Sequence, residues 1–229
     1  EEPMEMKNKA METAISRDGA RFPIVGSENA EGWIPIDLSV HNPELDDRVI
    51  ADRVSLEKYV FGKIEEAGAK GAFGGYGENR GIYRRSEVFG RGGERRSIHL
   101  GVDFWIGAGT EVRAFMRGVV HGFADNATPG DYGPTIILEH EQGGDTFYTL
   151  YGHLSRESLI GLEVGMRIAD NQVISTLGEP HENLDWPPHL HFQIIKNIGE
   201  YRGDYPGVCL PSEAELYLDN CEDPMAYFG

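Results

Sequence analysis

SIHLGVDFW at residues 97–105 opens a series of short apolar or alternating runs, and this series decides the fold. It continues as EVRAFMRGVVHGFA at 111–124, PTIILEHE at 134–141, DTFYTLYGHL at 145–154, QVISTLG at 172–178 and HLHFQII at 189–195. Turn-forming stretches separate the runs. They include NATPGDYG at 126–133 and EQGGD at 141–145, whose double glycine predicts a hairpin. Short β-type runs punctuated at roughly 8–12-residue spacing belong to all-β architectures. The expectation is a mostly β fold with an antiparallel core.

Working outward, the flanks read differently. SLEKYVFGKIEEAGAK at 55–70 predicts a helix. Ser55 is its expected cap, Leu56, Tyr59, Val60 and Ile64 form one apolar stripe, and the Gly68–Gly71 region ends it. Glycine then dominates, in GAFGGYGENRGIY at 71–83 and FGRGGERR at 89–96. Residues 1–35 show no strong period and are expected to wrap the domain surface or to be partly loose. A short acidic helix is expected at 212–220, SEAELYLDN. The organisation is therefore an N-terminal extension with one helix at 1–74, a domain at 75–200, and a tail at 201–229 that packs on it.

Composition narrows the function classes. The 229 residues carry 38 Asp+Glu against 21 Lys+Arg, a formal net charge of −17. Such a chain is repelled by nucleic-acid phosphates and by anionic membrane surfaces. No stretch approaches the ~20 apolar residues of a membrane span. The start, EEPMEMKNKA, lacks the basic and apolar regions of a signal peptide. Cys209 and Cys221, twelve residues apart, suit either a small disulfide loop or two buried thiols.

The eight histidines carry the chemistry. On one strand, His99 and Asp103 in SIHLGVDFW share a face, as two metal ligands would, or as a solvent-facing pair would. In HLHFQII, His189 and His191 share one face while Leu190, Phe192 and Ile194 anchor the other in the core. Two imidazoles on an apolar strand need partners, and metal binding or acid–base work supplies them. His153 ends a strongly β run and is placed to line a cleft. Ligands of type His, Asp and His, with a fourth position left to water, make a catalytic rather than a structural zinc site. Further histidines beside the metal orient water and move its proton. His140 reads as a hydrogen-bonded structural residue, His121 as a rim residue and His41 as solvated.

At these residues the chain resembles the lysostaphin/LytM-type zinc metallopeptidases, which cleave peptide crosslinks in peptidoglycan. The shared pattern is HLGVD at 99–103, AGTEVRA at 108–114, GVV at 118–120, YG at 132–133, IILEH at 136–140, YTLYGHL at 148–154, VG at 164–165 and PHLHFQ at 188–193. It covers about residues 75 to 197. The resemblance implies the duplicated hybrid motif fold, with an open groove across one zinc ion per chain. It implies His99, Asp103 and His191 as zinc ligands, and His153 and His189 as catalytic histidines. It also implies zinc-dependent hydrolysis of peptide bonds in peptidoglycan stem or crosslink peptides, in the periplasm or outside the cell. A noncatalytic binding module on the same fold, and a zinc hydrolase of another small peptide in the cytoplasm, are the alternatives.

Tyr132, Arg80 and His181 are the expected substrate contacts. Three features depart from the family pattern. The loop GEPHENLDWPP at 178–188 is longer and carries Trp186. YGENR at 76–80 places Arg80 one residue later than the family's aromatic-Gly-x-Arg element. The segments through residue 74 and after 200 have no counterpart in the minimal domain. In several members of the resembled family an upstream segment covers the metal, and the resemblance offers residues 74–89 for that role; the sequence leaves open whether the enzyme is latent.

Overall fold

The computed structural model describes residues 24–26, 32–85, 89 and 94–227. The surface position expected of residues 1–35 falls mostly outside them, as does part of the expected cover at 74–89.

In chain order the elements begin with strand β1 (Trp33–Pro35), helix α1 (Arg53–Glu66) and strand β2 (Gly71–Gly74). Strands β3 (Ile98–His99), β4 (Val102–Trp105), β5 (Glu111–Arg113), β6 (Gly118–Asn126), β7 (Gly133–Gln142) and β8 (Asp145–Gly152) follow. After them come β9 (Arg167–Ile168), β10 (Val173–Thr176), β11 (His189–Ile195), β12 (Val208–Cys209), helix α2 (Ala214–Asn220) and β13 (Cys221–Glu222). The main sheet runs β1-β2-β4-β11-β8-β7-β6-β9, with β13 also on β11. Its pairs are antiparallel except β1 on β2, which is parallel. β5 pairs with β10, and β3 with β12.

The sequence reading holds for most strands because side-chain alternation and turn chemistry agree. Gly143 and Gly144 close the β7–β8 hairpin between paired Gln142 and Asp145, both at positive φ as a two-residue turn demands. The expected helix is present, with a different cap. Asp52, not Ser55, sits at the N-cap, and its side chain accepts the Ser55 backbone N–H at 2.8 Å. A carboxylate one turn upstream satisfies an orphan donor that Ser55 itself presents. At the other end, Gly68 turns left-handed at φ +61°, and Gly68 and Ala69 donate back to Glu65 and Ile64. This is the double closure that glycine allows. Leu56, Val60 and Ile64 of the stripe are buried, while Tyr59 is only partly so.

The core splits by strand face. Val102 and Phe104 of β4, Leu190, Phe192 and Ile194 of β11, and Phe147 and Tyr151 of β8 pack into one cluster. On the opposite face of these strands stand Asp103, His189 and His191. Flanking clusters are built on α1 and Trp105, and on Ile137, Leu150 and Ile195. Both faces of β11 are therefore buried. A polar side chain there must find a partner inside the protein. Cys209 and Cys221 are buried free thiols rather than a disulfide. Among the described residues, no helix is long and apolar enough to cross a membrane.

Candidate metal centre and active-site cavity

Strand register brings the central groups together. On β11, His191 pairs with Asp103 of β4 on one side and with Gly152 of β8 on the other. His153 follows Gly152 directly, so three strands deliver three functional side chains to one level of the sheet. His99 arrives from outside this sheet. The segment 97–105 is not one strand: it breaks at Leu100–Gly101, and His99 lies on β3 against Val208 of β12. Gly101 makes the break possible, because a Cβ there would strike the Phe192 carbonyl and stand 3.0 Å from the His191 ring. The shared face expected for His99 and Asp103 is thus produced by a corner in the chain.

Five side chains meet in the interior, each 1–5% exposed: His99, Asp103, His153, His189 and His191. His99 Nε2 lies 2.9 Å from His191 Nδ1 and 3.3 Å from Asp103 Oδ1, and His191 Nδ1 lies 3.1 Å from the same carboxylate oxygen. The outer nitrogens determine where the protons are. His99 Nδ1 faces the Gly75 carbonyl at 2.9 Å, which only accepts, so it is the protonated nitrogen. His191 Nε2 faces Gln193 Oε1 at 3.1 Å. The amide of Gln193 is oriented by its own Nε2, which donates to the Pro206 carbonyl and to Cys221 Sγ. His191 therefore donates through Nε2.

Three lone-pair-bearing atoms with no hydrogen among them then face one another. Such a set is repulsive until a cation joins it. Tetrahedral ligands at zinc–nitrogen and zinc–oxygen distances stand about 3.3–3.4 Å apart, close to this triangle. The three are also the only described group of His, Cys, Asp and Glu whose ligand atoms converge in this way. The donor set fits zinc, and the outer contacts to Gly75 and Gln193 are those that orient ligating imidazoles.

Around the triangle the electrostatics are set by burial. Burial lowers His99 to about 4, with the charge of Arg80 adding to it, and burial lowers His189 to about 4 as well. Burial and the neighbouring histidines hold His153 well below its ordinary value. All three imidazoles are neutral near pH 7. Burial pushes the Asp103 carboxyl up, but His99 and Arg80 outweigh it and hold it well below the usual carboxylate range. His189 donates through Nδ1 to the Pro187 carbonyl at 2.7 Å, which leaves Nε2 bare, 3.9 Å from Asp103 Oδ1. Its ring stacks on Trp105 at 4.1 Å. His153 adopts a left-handed backbone at φ +62°, rare for a residue with a Cβ. Its N–H bonds to the Tyr132 carbonyl, and its own carbonyl accepts from Gly178. These contacts hold its ring 4.1 Å from that of His189, with Nδ1 buried and without a protein partner.

A cavity of about 250 Å³ opens over the site, walled in part by Tyr83, Tyr132 and Trp186. Trp186 is carried by the long 178–188 loop, where Leu184 and Asp185 both turn left-handed. Its indole donates to the Gly130 carbonyl, and its ring lies 6.2 Å from those of Tyr83 and His153.

The expected substrate contacts fare unevenly. Tyr132 walls the cavity with its ring, 5.0 Å from that of His191, but its hydroxyl is spent on the Tyr205 carbonyl. Arg80 lies in the cavity wall yet is 2% exposed, with its guanidinium on Asp103 Oδ2, Glu78 and the Gly74 carbonyl. His181 is exposed and not part of the cavity lining. His140 is buried between the Arg117 carbonyl and Thr149, and His121 bonds Glu139 and the Tyr201 carbonyl.

Sequence reasoning missed Trp105, Asp131 and Asp204 in the cavity wall. It also missed Gln193 behind His191. Gln193 was findable, since residues 189, 191 and 193 share one strand face. Asp204 carried no signal, because the tail reaches the site only through the tertiary fold.

Residues 97–202, which contain all five of these side chains, match the model of Peptidase family M23. Among curated proteins, it is 30% identical over 100 residues to the DD-carboxypeptidase/endopeptidase Mpg of Neisseria meningitidis serogroup B, a match covering 44% of this chain and 20% of that one. The Neisseria gonorrhoeae protein of the same name matches equally. The match thus spans about a fifth of the length of these relatives. Among solved structures, the catalytic domain of lysostaphin from Staphylococcus simulans is 26% identical with a TM-score of 0.41, covering 58% of this chain and 80% of that one. The catalytic domain of the prophage-encoded M23 protein EnpA from Enterococcus faecalis is 22% identical with a TM-score of 0.37, covering 51% and 85%.

Proposed function

We propose that this chain is a zinc-dependent endopeptidase that hydrolyses peptide bonds in peptidoglycan stem or crosslink peptides. His99, Asp103 and His191 hold one zinc ion, and His153 and His189 serve the proton transfers. The observation that carries the reading is the meeting of three hydrogen-free acceptor atoms, His99 Nε2, His191 Nδ1 and Asp103 Oδ1, beside two neutral histidines. When bound, zinc acidifies water and polarises the scissile carbonyl.

The chain's own groups do the rest. His189, with Nε2 bare and Nδ1–H held by Pro187, is oriented to take the proton of the attacking water and return it to the departing amine. His153, with Nδ1 unpartnered and its ring 4.1 Å from that of His189, stands beside the same water and shares the proton transfers. Burial keeps both rings neutral near pH 7, the form in which each can accept a proton. Tyr132 and Trp186 present rings to the substrate and narrow the cavity. Arg80 acts on Asp103 rather than on substrate. Such a substrate places the protein in the periplasm or outside the cell.

The test is zinc content of purified wild type and His191→Ala, paired with release of peptide fragments from purified peptidoglycan. One zinc per chain, lost in the variant together with fragment release, is the expected result. A wild-type chain that takes up no zinc on reconstitution would sink the reading.

A further inference from the structure

Beside the catalytic cavity lies a second hollow of about 360 Å³, with Arg84, Arg95 and Arg96 on its wall. The two spaces share Arg80, Tyr83 and Arg96 as common lining, so the hollow adjoins the cavity. The charge here runs against that of the molecule. The chain carries −17 overall, yet the charged residues on the hollow's wall are Arg80, Arg84, Arg95 and Arg96 against one acid, Glu94. Among the described residues, Arg84 and Arg95 form no ion pair, although 38 carboxylates are available to the chain. Among the described residues, Arg95 donates to the Arg84 carbonyl, at 3.4 Å. The one carboxylate on the hollow's wall, Glu94, is held by the backbone N–H and hydroxyl of Ser212 at 2.9 and 2.8 Å. Acids appear on the cavity side instead, where Asp131 and Asp204 line the wall with Arg96.

The guanidiniums of Arg84 and Arg95, set in one hollow of an acidic protein, focus a positive field and offer forks that match a planar carboxylate. We propose that this hollow seats a free carboxylate of the substrate, so that the peptides cleaved are acidic ones whose anionic group lies to one side of the scissile bond. The proposal rests on the peptidase reading above and adds its substrate class.

The experiment uses the zinc-loaded chain and two stem-peptide substrates of one sequence, the first with free carboxylates and the second with those groups amidated. The ratio of their kcat/KM values is measured at low and high salt, in wild type and in the double variant Arg84→Gln, Arg95→Gln. Binding of both peptides is measured in parallel by calorimetry. In wild type the acidic peptide is favoured by about tenfold or more, the range of one or two charge-assisted hydrogen bonds. The preference resides in KM and falls to within about twofold in the variant and at high salt. A ratio near one in wild type, or one the variant and salt leave unchanged, overturns the proposal. If neither peptide is cleaved, the peptidase reading falls, while selective binding of the acidic peptide that the variant loses still supports the hollow. Inorganic phosphate that displaces the acidic peptide more readily than acetate does would assign the hollow to phosphate and overturn the carboxylate.

Discussion

Arg80 holds Oδ2 of Asp103 while the histidines gather on Oδ1, so one carboxylate is shared between a fixed cation and the candidate metal position. Behind it, Glu78 binds the other side of the guanidinium and accepts the Leu38 backbone N–H at 2.9 Å. The network ties the segment before α1 to the ligand set. Replacing Arg80 by Gln leaves Glu78 and Asp103 without their buried cation, a change that typically costs about 3–5 kcal/mol. On the proposed assignment it also frees the zinc-binding carboxylate to rotate, and outer-contact changes of this kind typically weaken metal affinity about 10–100-fold. Competition with a chromophoric zinc chelator, beside a denaturant titration, measures both. Unchanged zinc affinity in a folded variant would refute the positioning role.

Among the elements, the corner at Leu100–Gly101 matters most for the site. It lets β3 pair with β12 and β4 with β11 while His99 and Asp103 converge. Gly101→Ala must push a methyl group against the Phe192 carbonyl and the His191 ring. Overpacking of that kind costs about 1–3 kcal/mol. On the proposed assignment the displaced ring is a zinc ligand, so zinc content falls along with the melting temperature. A Gly101→Ala chain with full zinc and wild-type stability would show that the corner tolerates a side chain.

Buried neutral histidine is a property of the whole molecule, and His140 separates it from the site. Its ring lies away from the metal centre, with Nδ1 donating to the Arg117 carbonyl and Nε2 bonded to Thr149, which leads to Tyr151 and the Phe115 N–H. Burial lowers it to about 4 from an ordinary 6.5. The unfolded chain therefore binds a proton that the folded chain refuses between those values. Stability is fully retained above about pH 6.5, falls as pH drops, and the loss from this residue, about 3 kcal/mol, is complete below about pH 4. Urea midpoints at pH 7 and pH 4.5 for wild type and His140→Gln check the sign. The advantage of wild type over the variant shrinks in acid, and an advantage that grows would refute the assignment.

Runs of alternating residues with Gly-Gly and Pro-Gly turns already specify strands, and the 3.6-residue stripe Leu56, Val60, Ile64 already specifies a helix, because both periods are local. The convergence of HLGVD, YGHL and HLHFQ could be anticipated from residue type and order. Four features could not: the break at Leu100–Gly101, the burial of Arg80 against Asp103, the approach of Asp204 from the tail, and the roof made by Trp186. Each depends on which strands lie side by side. Register across β4, β11 and β8 is a property of pairing between distant segments. The physical work of the site, a cation position enclosed by hydrogen-free acceptors, exists only once that pairing has closed.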